Sequence, residues 1–265
     1  MDNNTNLKDK ISIITGAAGF IGSSIAHKLA RNDSNLVLID LNEKPLSMLK
    51  KKILRINKNI NIDIFGLDLS ADSERKDLIK NIKKKYKKIN ILVNSIGMVG
   101  TDTTDGWNVG YANQSLDAWN KAIDINLTSI FFLIQGLHKI MSKTKNASII
   151  NISSIYGVTA PDWNMYKDTD IYNPAAYSVS KSGLINLTKW LASTLAPNIR
   201  VNCISPGGVK RNQKKNFIKK YTSKTLLKRM ANESDISDPV LFLASDMSLY
   251  ITGHNLIVDG GFTIK

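Results

Sequence analysis

Seven short apolar runs, at residues 11–15, 36–40, 60–67, 89–94, 147–153, 199–204 and 255–258, are separated by longer amphipathic stretches. None alternates strictly between apolar and polar residues, which suits parallel strands covered on both faces better than strands with one wet face. Parallel neighbours need long crossovers, and the amphipathic stretches supply them as right-handed helical connections. The rhythm predicts an α/β fold built on a doubly wound parallel sheet of about seven strands with helices on both faces.

With 265 residues and 43% hydrophobic content, the chain can bury one substantial core, so residues 1–265 are expected to form a single domain. No internal repeat or Ser/Gly linker interrupts it. Residues 1–10 are polar, and the apolar run that follows is too short for a signal core or a membrane span, which predicts a cytoplasmic protein without a membrane partner. Cys203 is the only cysteine and sits in an apolar run, so it reads as core rather than nucleophile. His27, His138 and His254 are scattered without ligand spacing, so no catalytic metal is expected.

The net charge of +14 raises nucleic acid as a partner. Against that, the basic residues are spread from Lys8 to Lys265 and no nucleic-acid motif accompanies them, which predicts a solvated lysine-rich surface and no nucleic-acid partner. The run from Lys83 to Lys88 reads as a helix end, where lysines favour the negative pole of the dipole.

Three stretches exceed the economical strand and helix rhythm: 98–115, 155–173 and 209–232. Each follows a predicted strand, and ligands of an open parallel sheet sit beyond the carboxyl ends of its strands. These stretches are the expected substrate loops.

The first run leads into Thr15-Gly16-Ala17-Ala18-Gly19-Phe20-Ile21-Gly22, and a helical pattern then continues to about Arg31. In that context Gly16 permits the tight turn, Gly19 the close approach of backbone to a pyrophosphate, and Gly22 close packing of helix on strand. Asp40 closes the second run 24 residues after Gly16, placed to accept from both hydroxyls of an adenosine ribose and to repel a 2'-phosphate. Ala17, Ala18, Leu41 and Asn42 offer no cation for such a phosphate. NAD(H) is therefore expected over NADP(H), with Lys44 the nearest residue that would relax the preference. Asp68 either bonds the adenine amino group or helps to cap a helix over 71–76. Asn94-Ser95-Ile96-Gly97 ends the fourth run with small residues that let the chain pass beneath a nucleotide, or simply turn.

Tyr177 and Lys181 stand four residues apart in a helical pattern, and with eight tyrosines about one such match is expected by chance. Their surroundings give the pair meaning. Asn126 lies in Asp124-Ile125-Asn126-Leu127, and Ser154 ends the fifth run. Ser205-Pro206-Gly207-Gly208 follows the sixth, and Leu243-Ala244-Ser245-Asp246 to Asp259-Gly260-Gly261 closes the chain.

In this order, with the glycine turn and Asn94-Ser95-Ile96-Gly97, the motifs resemble the short-chain dehydrogenase/reductase family in its single-domain branch, from about Leu7 onward. The resemblance implies a Rossmann-type fold and a nicotinamide-dependent oxidoreductase. It implies Asn126, Ser154, Tyr177 and Lys181 as the catalytic set. Cofactor contacts are implied for Thr15, Gly16, Gly19, Phe20, Ile21 and Gly22, then for Asp40, Asp68 and Leu69. Further along they fall on Asn94, Ser95 and Gly97, on Tyr177 and Lys181, and on Pro206, Gly207 and Val209. It further implies that Lys181 holds the nicotinamide ribose and that Asn126 keeps a water in the proton relay.

The chemistry follows from the side chains. A tyrosine hydroxyl, with an ordinary pKa of about 10, is too weak an acid to serve as a base at neutral pH, but a lysine one helical turn away favours the phenolate. Tyr177 is expected to exchange a proton with the carbinol or carbonyl oxygen as hydride moves to or from nicotinamide, while Ser154 donates to that same oxygen.

Two features depart from the family's usual pattern. The Gly-x-x-Gly-x-x-Gly spacing resembles the larger sugar-nucleotide epimerase and dehydratase branch, although little chain follows Gly261 for a second substrate-binding portion. Ser154 also lies 23 residues before Tyr177, about ten more than is common in the family, so an insertion must loop out.

That insertion is rich in aromatic and hydrogen-bonding residues, including Tyr156, Trp163 and Tyr166, a composition that suits sugars. Trp107 and Tyr111 add to it or pack a lid. Lys210, Arg211, Lys214 and Lys215 either meet an anionic group of the substrate or form a solvated face. A weaker resemblance, to oxidoreductases of bacterial surface-sugar and flagellin modification, implies a sugar phosphate or nucleotide sugar, with a polyol as another option. Two rivals stand beside it: a 3-oxoacyl-carrier-protein reductase, and a non-catalytic nucleotide-sensing or nucleic-acid-binding protein on the same scaffold. The family also implies a homotetramer or homodimer assembled through helices near 116–141 and 174–196, with the last strand at a second contact.

Overall fold

A computed structural model describes residues 5–99, 102–167, 169 and 171–265. Seven strands form one sheet: β1 Ile11–Thr15, β2 Asn35–Asp40, β3 Ile62–Gly66, β4 Ile91–Asn94, β5 Ala147–Ile152, β6 Ile199–Pro206 and β7 Asn255–Val258. Their order is β3-β2-β1-β4-β5-β6-β7, and every adjacent pair is parallel. The helices are α1 Phe20–Arg31, α2 Glu43–Ile56, α3 Asp72–Lys85, α4 Leu116–Ile123, α5 Ser129–Met141, α6 Trp163–Tyr166, α7 Ala175–Leu195, α8 Lys215–Lys224 and α9 Ser234–Ala244. This is the doubly wound, Rossmann-type sheet that the apolar runs predict.

Successive side chains of a strand point to opposite faces. Ile13, Val37, Leu92, Ile149 and Val201 pack with Leu78 of α3, Leu133 and Leu137 of α5 and Leu184 of α7. Ile14, Leu38, Val93, Ile150 and Ile204 pack on the other face with Ile25 and Leu29 of α1, Ile53 of α2 and Val240 of α9. Burial on both sides explains why the runs carry so little polar alternation. The chain winds outward from β1 to β3, then crosses to β4 on the other side of β1. The crevice beyond the carboxyl ends of β1 and β4 is thus the topological switch point.

The long stretches carry structure of their own. The second contains a short turn at Ile155–Gly157 and α6, and the third contains α8, with a single parallel bridge from Val209 to Ala231 closing its base. Met165, Phe217, Tyr221 and Met230 form a small separate core, with Tyr166, Ile218 and Phe262 packed against it. The lysine run ends α3, where Lys83, Lys84 and Lys85 occupy the last turn and favour its dipole. Among the described residues no helix is long and apolar enough to cross a membrane, and no three His, Cys, Asp or Glu side chains cluster to hold a metal.

Candidate active site

The turn after β1 is shaped by steric need. Gly16 has φ +63°, and a Cβ there would sit 2.8 Å from the Ser95 carbonyl oxygen, while a Cβ at Gly22 would overlap the carbonyl oxygen of Gly16. Gly19 precedes α1 with ordinary φ −68°, and α1 begins with no side-chain cap and no acid in its first turn. Its free N–H groups, flanked by Phe20 and Ile21, are therefore open to an anion. Thr15 accepts from the Ile96 amide at 3.3 Å, which ties β1 to the turn after β4.

Asp40 braces that turn as well as ending β2. Its Oδ2 accepts from the Ala18 amide and its Oδ1 from the Leu41 amide, both at 2.8 Å. Asp68 is not the cap of α3, because that helix starts at Asp72 after Ala71. Instead its Oδ1 accepts from the amide and hydroxyl of Ser70 at 2.8 and 2.7 Å, and Leu69 beside it is buried. The physical reason is local: an aspartate bonding two residues ahead forms a turn that competes with helix initiation. Asn94 is fully buried and donates to Asn151 at 2.8 Å, leaving its Oδ1 without a partner.

Asn126 lies in a π-helical turn, Asp124–Thr128, between α4 and α5, a distortion that recurs at functional positions. Its carboxamide is fully engaged: Oδ1 accepts from the Met98 amide at 2.7 Å, and Nδ2 donates to the Met98 carbonyl at 3.3 Å and to Ser180 Oγ at 3.0 Å. Its side chain pins the loop after β4 to α7. Gly97 follows in that loop, and a Cβ there would meet Lys181 Nζ at 3.3 Å and Asn126 Oδ1 at 3.4 Å. Ser95 lies between, its carbonyl against Gly16.

Ser153 and Ser154 continue β5 beyond its last ladder pair, with the Ser153 amide donating to the Ile204 carbonyl at 2.7 Å. Ser153 Oγ donates to the Lys181 carbonyl at 2.8 Å, which fixes α7 against the strand end. Across from it Ser154 and Tyr177 line the same cleft. Lys181 is 3% exposed and lies with its Nζ 5.9 Å from the Tyr177 ring centre, which excludes a surface lysine.

In the coenzyme-free site burial outweighs the groups that favour the phenolate. Burial raises the Tyr177 pKa above its ordinary value, opposed first by the Ser154 hydrogen bond and more weakly by Arg211. Burial also lowers Lys181 to about 8. The reason is desolvation: both charged forms lose water, and Lys181 Nζ points to the Ile152 carbonyl at 2.9 Å rather than to the phenol.

Ser154 and Tyr177 open onto a cleft of about 490 Å³ that Phe20, Ile21, Pro206, Gly207 and Val209 also line. All three long stretches reach it, through Val99, through Tyr156, Tyr166 and Tyr172, and through Arg211, Phe217 and Tyr221. Trp107 does not face it. That indole is buried in a separate cluster and donates to the Val99 carbonyl at 2.7 Å, because its loop folds back on α4. Tyr111 is 87% exposed and borders a neighbouring hollow along α4 and the start of α7. Of the basic residues after Gly208, Arg211 alone lines the cleft, and Lys210 and Lys215 border an outer groove.

Tyr221 and Phe217 are site residues that motif reading passes over, although their i, i+4 aromatic spacing on α8 marks one buried face. Tyr221 explains the glycines after Pro206. Its hydroxyl accepts from the Gly208 amide, and a Cβ on Gly207 would sit 2.7 Å from that hydroxyl and one on Gly208 2.8 Å from the ring. Gly207 therefore makes room for Tyr221 at the cleft wall. On its other face Tyr221 stacks on Phe262 at 4.8 Å. Asp259 accepts from Gly261 and Thr263 and thereby shapes the turn that delivers Phe262.

The switch-point crevice fits a dinucleotide. Gly16 and Gly22 let the backbone of the turn pack tightly against the turn after β4 and against itself, α1 offers uncapped N–H groups, and Arg211 keeps a buried Nε without a partner.

Residues 16–263 match the family described as enoyl-(acyl carrier protein) reductase. The chain is 34% identical over 258 residues to post-translational flagellin modification protein A of Campylobacter coli, covering 97% of this chain and 99% of that protein. It is 30% identical to the 3-oxoacyl-[acyl-carrier-protein] reductase of Thermotoga maritima over 97% of this chain and 99% of the relative. A crystal structure of a short-chain dehydrogenase from Leptospira borgpetersenii with bound NAD+ superposes with a TM-score of 0.86 at 32% identity, covering 99% of this chain and 96% of that one. With its parallel sheet, its glycine turn and its Ser154, Tyr177 and Lys181 at one strand end, this chain belongs to the short-chain dehydrogenase/reductase family of oxidoreductases.

Proposed function

We propose that this enzyme is an NAD-dependent dehydrogenase that interconverts a secondary alcohol and a ketone on a carbohydrate, a sugar phosphate, nucleotide sugar or polyol. The observation that carries this is that Ser154 and Tyr177 together line a cleft walled by Tyr156, Tyr166 and Tyr172 of the insertion. A bound nicotinamide supplies the hydride acceptor or donor. Tyr177 takes the proton from the carbinol oxygen, or returns it, and Ser154 donates a hydrogen bond to that oxygen. Lys181 supplies a buried cation beside the phenol and a group for the nicotinamide ribose. Because both N–H donors of the Asn126 side chain are spent, a relay water there would donate to its Oδ1 or rest on backbone.

The flagellin-modification relative and the polar, aromatic lining both support a carbohydrate. Tyr166 donates to Tyr156 at 2.6 Å, so the insertion presents paired phenols suited to hydroxylated rings. Asp40 supports NAD(H), as does the NAD+ bound to the Leptospira neighbour. A screen of sugars, sugar phosphates, nucleotide sugars, polyols and acetoacetyl thioesters with both coenzymes tests this. NAD-linked turnover of a carbohydrate is expected, and turnover confined to acetoacetyl thioesters would establish the acyl reductase instead. Tyr177→Phe is expected to lower kcat by about 10²–10⁴.

A further inference from the structure

Arg211 stands on the loop after β6, and its guanidinium carbon lies 4.4 Å from the centre of the Phe20 ring. Phe20 opens α1, so this stack spans the crevice from the loop after β6 to the glycine turn after β1. Among the described residues lining the cleft, Arg211 alone carries a formal charge. Its Nε is buried without a hydrogen-bond partner. Burial disfavours its cation and Glu233 favours it through space, but a guanidinium stays protonated at neutral pH.

A second positive element faces it. The first turn of α1 has neither an acid nor a side-chain cap, so its partial positive charge is unneutralised. The guanidinium and the uncapped start of α1 meet at Phe20, and with no carboxylate lining the space an anion there would face both. The aromatic stack holds the guanidinium plane on the Phe20 side of the cleft, next to the free N–H groups where a phosphate would lie.

We propose that Arg211 is an anion-binding residue that closes over the pyrophosphate of the dinucleotide, with Phe20 as the platform that holds it there. This rests on the coenzyme assignment and is independent of which alcohol the enzyme oxidises. Neither the glycine turn nor the catalytic pair includes it. Arg211 joins the β1 and β6 walls through Phe20.

NADH binding followed by fluorescence without substrate, with displacement by ADP-ribose, tests the proposal in the wild type, Arg211→Gln and Arg211→Lys. Arg211→Gln is expected to weaken both ligands about tenfold, the loss of a charge-assisted hydrogen bond, and to flatten the salt dependence of binding between about 0.05 and 0.3 M. Arg211→Lys keeps the charge without the planar stack and should fall between. Folding is checked by thermal melting, and should the glutamine variant fail to fold, the lysine variant and Phe20→Leu carry the same comparison. Unchanged NADH and ADP-ribose affinities in folded variants overturn the proposal. Unchanged coenzyme affinity with a raised KM for an anionic substrate also overturns it, placing Arg211 on the substrate. A wild type that binds neither ligand defeats the coenzyme assignment itself.

Discussion

Lys181 donates from Nζ to the carbonyl oxygen of Ile152 at 2.9 Å, which holds a buried ammonium against the end of β5 rather than against the phenol it serves. Burial keeps its pKa near 8, far below the ordinary value of 10.5. The unfolded chain therefore binds more protons between those values, and this group makes wild-type stability rise with pH across that window. At pH 7 the folded coenzyme-free protein carries the full cost of a desolvated cation. Lys181→Met is expected to raise stability by about 1 kcal/mol at pH 7, a gain that fades above pH 8, while activity is lost. Denaturant unfolding at pH 7 and pH 10 checks this, and an equal or lower stability at pH 7 would refute it.

Asp40 has two tasks that one substitution separates. Its carboxylate repels a 2'-phosphate and also accepts from the Ala18 and Leu41 amides. Asp40→Ser is expected to improve NADP+ use relative to NAD+ by about tenfold or more and to cost about 1 kcal/mol of stability through a weakened brace. The ratio of kcat/KM for the two coenzymes is the measurement.

Gly208 is predicted to act through its neighbour. A Cβ there would press on the Tyr221 ring at 2.8 Å, so Gly208→Ala should cost about 1–3 kcal/mol from overpacking. It should also raise KM for the substrate more than it lowers kcat, because Tyr221 is a wall of the cleft. Thermal melts and steady-state kinetics on one preparation read both effects.

Assembly is predicted from exposed apolar side chains. Trp119, Phe132 and Trp190 stand out from α4, α5 and α7, with Trp190 57% exposed, and Tyr250, Ile257 and Ile264 are exposed around β7. Light scattering is expected to give a homotetramer or homodimer, and Trp190→Lys a smaller particle. A wild-type monomer would dismiss the prediction.

The sheet was legible because both of its faces are covered, which leaves each strand a plain apolar run. The juxtaposition of Ser154 with Tyr177 and Lys181 was legible because the order of motifs puts a helix, α7, beside the end of β5. The Lys181 pKa was not, since desolvation depends on how completely β5 and the Gly97 turn enclose the ammonium. Trp107 was left open between substrate wall and packing for a related reason: composition marks an aromatic residue but not its direction, and this one turns inward to the Val99 carbonyl. Phe217 and Tyr221 escaped notice because their value lies in contacts with glycines and a phenylalanine distant in sequence.

The small core of Met165, Phe217, Tyr221 and Met230 shares no buried residue with the two cores that clad the sheet. This wall of the cleft thereby has packing of its own: a mutation that reshapes it strains its own contacts and the glycine turn after β6 before it reaches the two sheet cores. Such a layout is inherently evolvable, letting one enzyme body drift among alcohols while the machinery that handles protons stays fixed.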